Sequence, residues 1–533
     1  MKYRAEVDGL RAVAILPVIF FHAGFKAFEG GFVGVDVFFV VSGYLITTII
    51  LSDMNNNKFS IVTFYERRAR RIMPALFFVM LCCLPFAYMW LLPMHLKDFS
   101  QSLTAVSVFS SNILFWRESG YFGVASELKP LLHTWSLAVE EQYYVLFPLF
   151  LMLLWKLRKR WIFGALMVVG AMSLAIAQWG AYNKPSANFF LLPTRAWELA
   201  IGALIAFYFL YKREHAELIK RYKKTSEVFG AVGLLMICYS VFAFSNNTPF
   251  PSLYALIPTV GTGLVIVFAT SETAVGRLLS TRFMVGVGLI SYSTYLWHQP
   301  LFVFARHRSL EEPSTALLLV LSAASLLLAY ISWRYVESPF RNKKAVSRKA
   351  IFTFTLVGSI AFAGIGLAGH FTDGFFELQS KQIQDISTAG EPAFAKADNC
   401  GGEICTYGDQ SNSPSVAIIG DSHAGRYAYT LDKTLKNDDI AFSLDAGAHC
   451  APLLDWKANY NSKNSKCTNK ITDAIKRVAQ NNDIKVVLLS AQWANYTKGY
   501  RYKSTTTSYG YRNSNNVDPK NNPIEFKSII GNC

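Results

Sequence analysis

Apolar residues fall in long blocks up to about residue 370 and then stop. A block of roughly 20 apolar residues is long enough to cross a bilayer as a helix. Such blocks lie near residues 10–27, 33–52, 74–93, 139–156, 162–181, 193–211, 228–245, 252–270, 284–305, 314–334 and 350–369. A further segment, 101–116, is weaker, with Ser and Asn scattered through it. Basic clusters at 67–71, 156–160, 212–224, 277–282 and 341–349 mark span ends. Lys- and Arg-rich loops stay on the cytoplasmic side. With the N-terminus inside, all five clusters fall inside only if 101–116 does not cross. The expectation is a polytopic α-helical membrane domain of about eleven spans plus one re-entrant or interfacial segment, and the odd count places the remainder of the chain outside.

That remainder is rich in Asn, Ser, Lys and Asp, and its apolar residues come in short runs. Residues 416–419 read as a buried strand, 440–443 as a second, 468–480 as a helix and 486–489 as a third strand. This alternation predicts a parallel sheet flanked by helices. The stretch 372–415, with scattered Gly, Pro and Ser, reads as linker and approach to that domain. The predicted division is 1–340 for the main membrane domain, 341–413 for an additional span and linker, and 414–533 for the α/β domain.

Composition agrees with the pattern. Of 533 residues, 52% are hydrophobic and 17% charged, and a soluble chain carries about 25% charged residues. The net charge of +16 would suit nucleic acid, but the cations cluster at span ends, so the expectation is topology and no nucleic-acid partner. The first apolar run follows Lys2, Arg4 and Arg11 and lacks a small-residue cleavage pattern after it, so it reads as retained. Cys82, Cys83 and Cys238 lie in apolar runs. Cys400, Cys405, Cys450, Cys467 and Cys533 lie in the polar tail, a skew that suits an oxidising compartment. Cys400 with Cys405 and Cys450 with Cys467 are plausible pairs, which leaves Cys533 with a partner expected beyond the chain end.

Ionisable residues inside spans are costly and mark function. Arg11 and His22 share the first span, and eleven residues put them roughly 16 Å apart along a helix. Asp36, in an apolar run after a short turn, could orient the His22 ring. The alternatives are packing hydrogen bonds for both. Arg67-Arg68-Ala69-Arg70-Arg71 anchors a span, and its guanidinium groups also suit phosphate. His133, Glu140, Glu141 and His298 are further polar residues at or within spans, read as mostly structural. In the tail, Gly420-Asp421-Ser422 follows a buried strand, where a nucleophilic serine is placed in one class of hydrolase. Gly447 and Asn495 are candidate donors to an oxyanion. No metal site is expected.

Six segments in order carry a resemblance over almost the whole chain. They are Asp8-Gly9-Leu10-Arg11-Ala12 with His22; the run 34–45 from Gly34 to Leu45; the run 64–72 containing the arginines; Trp135-Ser136-Leu137 through Glu141-Gln142-Tyr143-Tyr144; Ile290-Ser291-Tyr292-Ser293 through Trp297-His298; and Val336-Glu337-Ser338-Pro339. Together they resemble the acyltransferase-3 family fused to an extracytoplasmic SGNH domain, a three-layer α/β fold. The resemblance implies acetyl-CoA as donor, Arg11, Arg68 and Arg71 on its binding side, and His22 as the essential membrane histidine. Asp36 joins His22 from the residue reading. Ser422 would pass acetyl to a hydroxyl of a surface glycan.

The implied location is the bacterial inner membrane, with an inside N-terminus and an outside tail. O-antigen of lipopolysaccharide is the first expectation for the acceptor, and peptidoglycan or another exopolysaccharide is the alternative. A non-catalytic transporter of a lipid-linked substrate and a tethered outer-face esterase are the competing classes. One departure stands out. SGNH domains take their base from a late Asp-x-x-His block, and none follows Ser422. His423 and His449 lack that context, so the SGNH-like domain is expected to be incomplete at its C-terminus.

Overall fold

The computed structural model describes residues 3–119, 128–211, 222–309, 311–390, 405–421, 423–446, 452 and 465–491. The chain forms two compact units that divide between Phe376 and Glu377.

The first unit is helical. Its helices are α1 (Ala5–His22), α2 (Gly34–Asn55), α3 (Ile61–Trp90), α4 (Pro93–Ser107), α5 (Ser111–Glu118), α6 (Thr134–Leu154), α7 (Lys159–Asn183), α8 (Pro185–Phe190), α9 (Leu192–Tyr211), α10 (Lys223–Ala243), α11 (Leu256–Phe268), α12 (Ala274–Leu279), α13 (Arg282–Arg308), α14 (Thr315–Ser332), α15 (Ser338–Arg341) and α16 (Arg348–Phe371). Among the described residues, eight helical stretches are long and apolar enough to cross a membrane. The protein is a multi-pass membrane protein.

Eight of the eleven expected blocks lie in these stretches. The blocks at 10–27, 252–270 and 284–305 are helical but fall outside the eight. The physical reason is position. α1 carries Glu6, Asp8 and Arg11 and is buried along most of its length, and α13 buries Ser291, Ser293, Thr294, His298 and Gln299. These two helices pack along each other and face protein, so lipid does not demand apolar side chains of them. α11 is apolar but short. The weak segment 101–116 is broken between α4 and α5, with Phe109 at φ 53° in the left-handed region. Neither piece is long enough to span.

Helix crossings inside the bundle are close. A Cβ on Gly43 of α2 would lie 2.0 Å from the Leu199 carbonyl oxygen of α9, and one on Gly202 would lie 2.0 Å from the Val40 carbonyl oxygen. The two backbones therefore touch, the contact small residues permit between membrane helices. Between α14 and α15 the chain makes a π-helical turn, Trp333–Glu337. There the buried Glu337 accepts from the Ser293 hydroxyl of α13 and from Arg341 at 2.8 Å.

In the second unit, α17 (Lys381–Gly390) precedes a four-stranded sheet of order β1-β3-β2-β4, made by β1 (Cys405–Gly408), β2 (Val416–Gly420), β3 (Ala441–Ala446) and β4 (Val486–Ser490). β2 pairs in parallel with β3 and β4, and β1 is an antiparallel edge strand on β3. Adjacent strand residues face opposite sides. Ile418 packs with Leu431 and Leu435 of α18 (Ala424–Asn437), and Ile419 packs with Ile471 and Ala474 of α19 (Ser465–Gln480). One helix on each face makes the three-layer α/β arrangement. β1 falls within the stretch read from sequence as linker; four residues carry too little pattern to reveal a strand. Cys400, Cys450 and Cys533 lie outside the described residues, as do the side chains of Cys405 and Cys467.

Candidate active site

A cleft of about 1050 Å³, open mouth included, lies within the helical unit. Arg11 reaches it from α1, and Arg68 and Arg71 from α3. The helical repeat explains the choice within the arginine run, because residues three apart share a face. Arg68 and Arg71 face the cleft. Arg67 instead pairs with Asp53 at 3.1 Å. Arg70 pairs with Glu66 at 2.9 Å and donates to the carbonyls of Phe340 and Val346 at 3.0 and 2.8 Å. The run is thus split between a structural pair and a cleft-lining pair.

Glu140, Glu141 and Tyr144 of α6 line the same cleft. The Tyr144 hydroxyl donates to the Glu140 carboxylate, and the Arg68 guanidinium lies 5.8 Å from the centre of the Tyr144 ring. Among the described residues, Arg68 Nε and Glu141 Oε1 are buried with no hydrogen-bond partner. Arg11 also lies 3.5 Å from Asp8; the three guanidinium groups still bring several N–H donors into a confined space, a setting that suits a phosphorylated ligand.

Tyr295 and Ser136 also line the cleft. The Tyr295 hydroxyl lies 2.7 Å from the Ser136 hydroxyl and donates to the His133 carbonyl at 2.8 Å. Its ring centre is 5.3 Å from both the His133 and the His298 ring centres. Beyond it, His298 Nε2 is 3.2 Å from His22 Nδ1. Arg306 of α13 donates to the His22 carbonyl at 2.7 Å. The cleft, Tyr295, His298 and His22 thus form a continuous series of contacts. His133 and His298, read from sequence as mostly structural, are the histidines that gather around Tyr295 and His22. Their signal was present as ionisable residues within or beside spans.

Asp36 is placed differently from the expectation. The His22 ring meets His298, whereas the fully buried Asp36 carboxylate accepts from Arg195 Nη1 at 3.1 Å. The same nitrogen lies 3.1 Å from Glu198 Oε1. Arg195 is also held over the rings of Trp135, Phe189 and Phe250, at 5.0–5.3 Å. Sequence reasoning passed over Arg195 and Glu198, although both are charged residues within the block 193–211.

In the second unit, Gly420 ends the central strand β2. A Cβ there would lie 1.7 Å from the Ser490 carbonyl oxygen, so glycine is required at this close approach. The Asp421 carboxylate accepts from the His423 backbone N–H at 2.8 Å and lies 3.1 Å from His423 Nδ1. Ser422, Gly447 and Asn495 lie outside the described residues. Among the described residues no group of three or more His, Cys, Asp or Glu is arranged to hold a metal ion.

Residues 4–334 match a family profile described as an acyltransferase domain. The chain belongs to the acyltransferase-3 family. Residues 389–528 match the SGNH domain found fused to acyltransferase-3 domains. Among similar proteins are peptidoglycan O-acetyltransferase OatA of Listeria monocytogenes, 31% identical over 353 residues, covering 64% of this chain and 56% of that one, and O-acetyltransferase OatA of Staphylococcus aureus, 28% identical over 349 residues, covering 64% and 58%. Putative peptidoglycan O-acetyltransferase YrhL of Bacillus subtilis is 28% identical over 437 residues, covering 74% and 68%. The matched region spans a little over half the length of the first two relatives. No solved structure matches this acyltransferase-3 chain.

Proposed function

We propose that the protein is a membrane O-acetyltransferase that takes acetyl from acetyl-CoA and delivers it to a hydroxyl of a cell-surface glycan. The observation that carries this reading is the convergence of Arg11, Arg68 and Arg71 on one cleft whose lining residue Tyr295 is packed against the His298–His22 pair. The arginines would hold the donor's phosphates, with its acyl end toward Tyr295. His22 would assist the transfer. The thioester C–S bond breaks, an ester C–O bond forms, and the hydroxyl proton ends on the departing thiol. Asp36 acts through Arg195, away from the His22 ring, and so holds helix α2 rather than the reacting groups. In the SGNH-like domain Ser422 would carry or transfer the acetyl. The basic clusters support a cytoplasmic N-terminus, and the cysteine-rich tail supports an extracytoplasmic second unit.

The relatives' names support peptidoglycan as the acceptor over the O-antigen expected first. The experiment is expression in a bacterium lacking wall O-acetylation, followed by mass spectrometry of muropeptides and of lipopolysaccharide sugars. An added acetyl group on muropeptides, absent with His22→Ala, is expected. Acetyl on O-antigen alone would return the acceptor to the first expectation. A lipid-linked substrate moved without any acetyl transfer would favour the transporter class.

A further inference from the structure

The His22–His298 contact fixes which ring nitrogens carry hydrogen. His22 Nδ1 lies 3.0 Å from the Val18 carbonyl oxygen, and His298 Nδ1 lies 3.3 Å from the Thr294 carbonyl oxygen. A carbonyl oxygen only accepts, so both Nδ1 atoms are the protonated ones. His298 Nε2 is then a bare lone pair, 3.2 Å from His22 Nδ1. The His22 Nδ1–H is shared between that lone pair and the Val18 carbonyl, and His22 Nε2 is left unprotonated.

His298 is held in place on every side. It is fully buried, and its ring packs against Tyr295, His133 and Phe302 at centre distances of 5.3, 5.4 and 6.3 Å. Its fixed orientation therefore acts together with the Val18 carbonyl to set that of His22. We propose that His298 is a positioning residue: it accepts from His22 Nδ1–H and so presents the His22 Nε2 lone pair to the acetyl transfer. The arrangement parallels the group that orients the base in a serine-hydrolase triad, with a neutral imidazole in place of a carboxylate. A carboxylate would bring a net charge to a site that is buried among rings.

This inference rests on the role given to His22 above, and the test separates the two. His298→Gln keeps an acceptor oxygen near the place of Nε2. His298→Asn keeps the hydrogen bond to Thr294 but no longer reaches His22. In reconstituted membranes with acetyl-CoA and a muropeptide acceptor, compared at equal inserted protein, His298→Gln should retain kcat within about tenfold. His298→Asn should lose about 10²–10⁴-fold in kcat while the KM for acetyl-CoA changes by less than about threefold. Equal activity of the two variants, or a loss shared with a large rise in KM, overturns the proposal.

A second measurement does not depend on the variants folding. Solid-state NMR of wild-type protein labelled with ¹⁵N-histidine should show His22 protonated on Nδ1 and bare on Nε2. The opposite tautomer overturns the proposal. Absence of acetyl transfer by the wild type would reject the function instead, with the tautomer still deciding whether His22 donates from Nδ1 to His298.

Discussion

Arg195 joins two carboxylates, Asp36 and Glu198, through a single nitrogen at 3.1 Å to each, with all three side chains at most 1% exposed. Removing one partner of a buried charge cluster strands the rest without water. Arg195→Ala is expected to cost about 3–5 kcal/mol, read as a lowered melting temperature in detergent. An unchanged melting temperature would contradict the stabilising role given to the cluster. Arg68 has the opposite profile, since its Nε has no hydrogen-bond partner among the described residues. Arg68→Ala is expected to leave the fold intact and raise the KM for acetyl-CoA about 10–100-fold, the size of one or two charge-assisted hydrogen bonds. An unchanged KM would remove Arg68 from donor binding. His22 and the arginines were legible in the sequence because charge inside an apolar block is conspicuous. The partner of Asp36 was not, because Arg195 lies 159 positions away and nothing in a linear pattern pairs them.

At the level of elements, α2 and α9 touch through Gly43 and Gly202. Gly202→Leu is expected to push the helices apart, with a loss of at least 1–3 kcal/mol, seen as reduced folded protein in a detergent melt. An unaltered melt would show that the crossing is loose. α4 contributes a pH response. Burial, reinforced by His307 and Lys129, pushes His95 down to about 4. The folded state then binds fewer protons than the unfolded chain at this site, so stability is full above about pH 6.5 and falls as pH drops toward 4. His95→Gln should flatten the fall in melting temperature between pH 7 and pH 5; an unchanged slope would contradict this. Element existence was largely legible, since long apolar blocks became helices. Which helices face lipid was not. α1 and α13 look like spans in length but bury polar side chains against protein, and hydropathy does not distinguish a lipid-facing position from a protein-facing one.

At the scale of the whole molecule, the chain joins a helical unit holding an arginine-lined cleft and a histidine pair to an α/β unit whose central strand ends at Gly420-Asp421. The two halves were legible as a change of pattern near residue 370, and the three-layer order followed from the strand–helix alternation. The central claim is that acetyl moves from a donor bound in the membrane unit, by way of His22, to an acceptor on the opposite face. Proteoliposomes with the protein in one orientation, given radiolabelled acetyl-CoA on the side of the N-terminus and glycan fragments enclosed on the other, test it most directly. The account predicts label on the enclosed glycan with wild-type protein and none with His22→Ala. Label carried across equally well by His22→Ala, or found only on glycan supplied on the donor side, would contradict it.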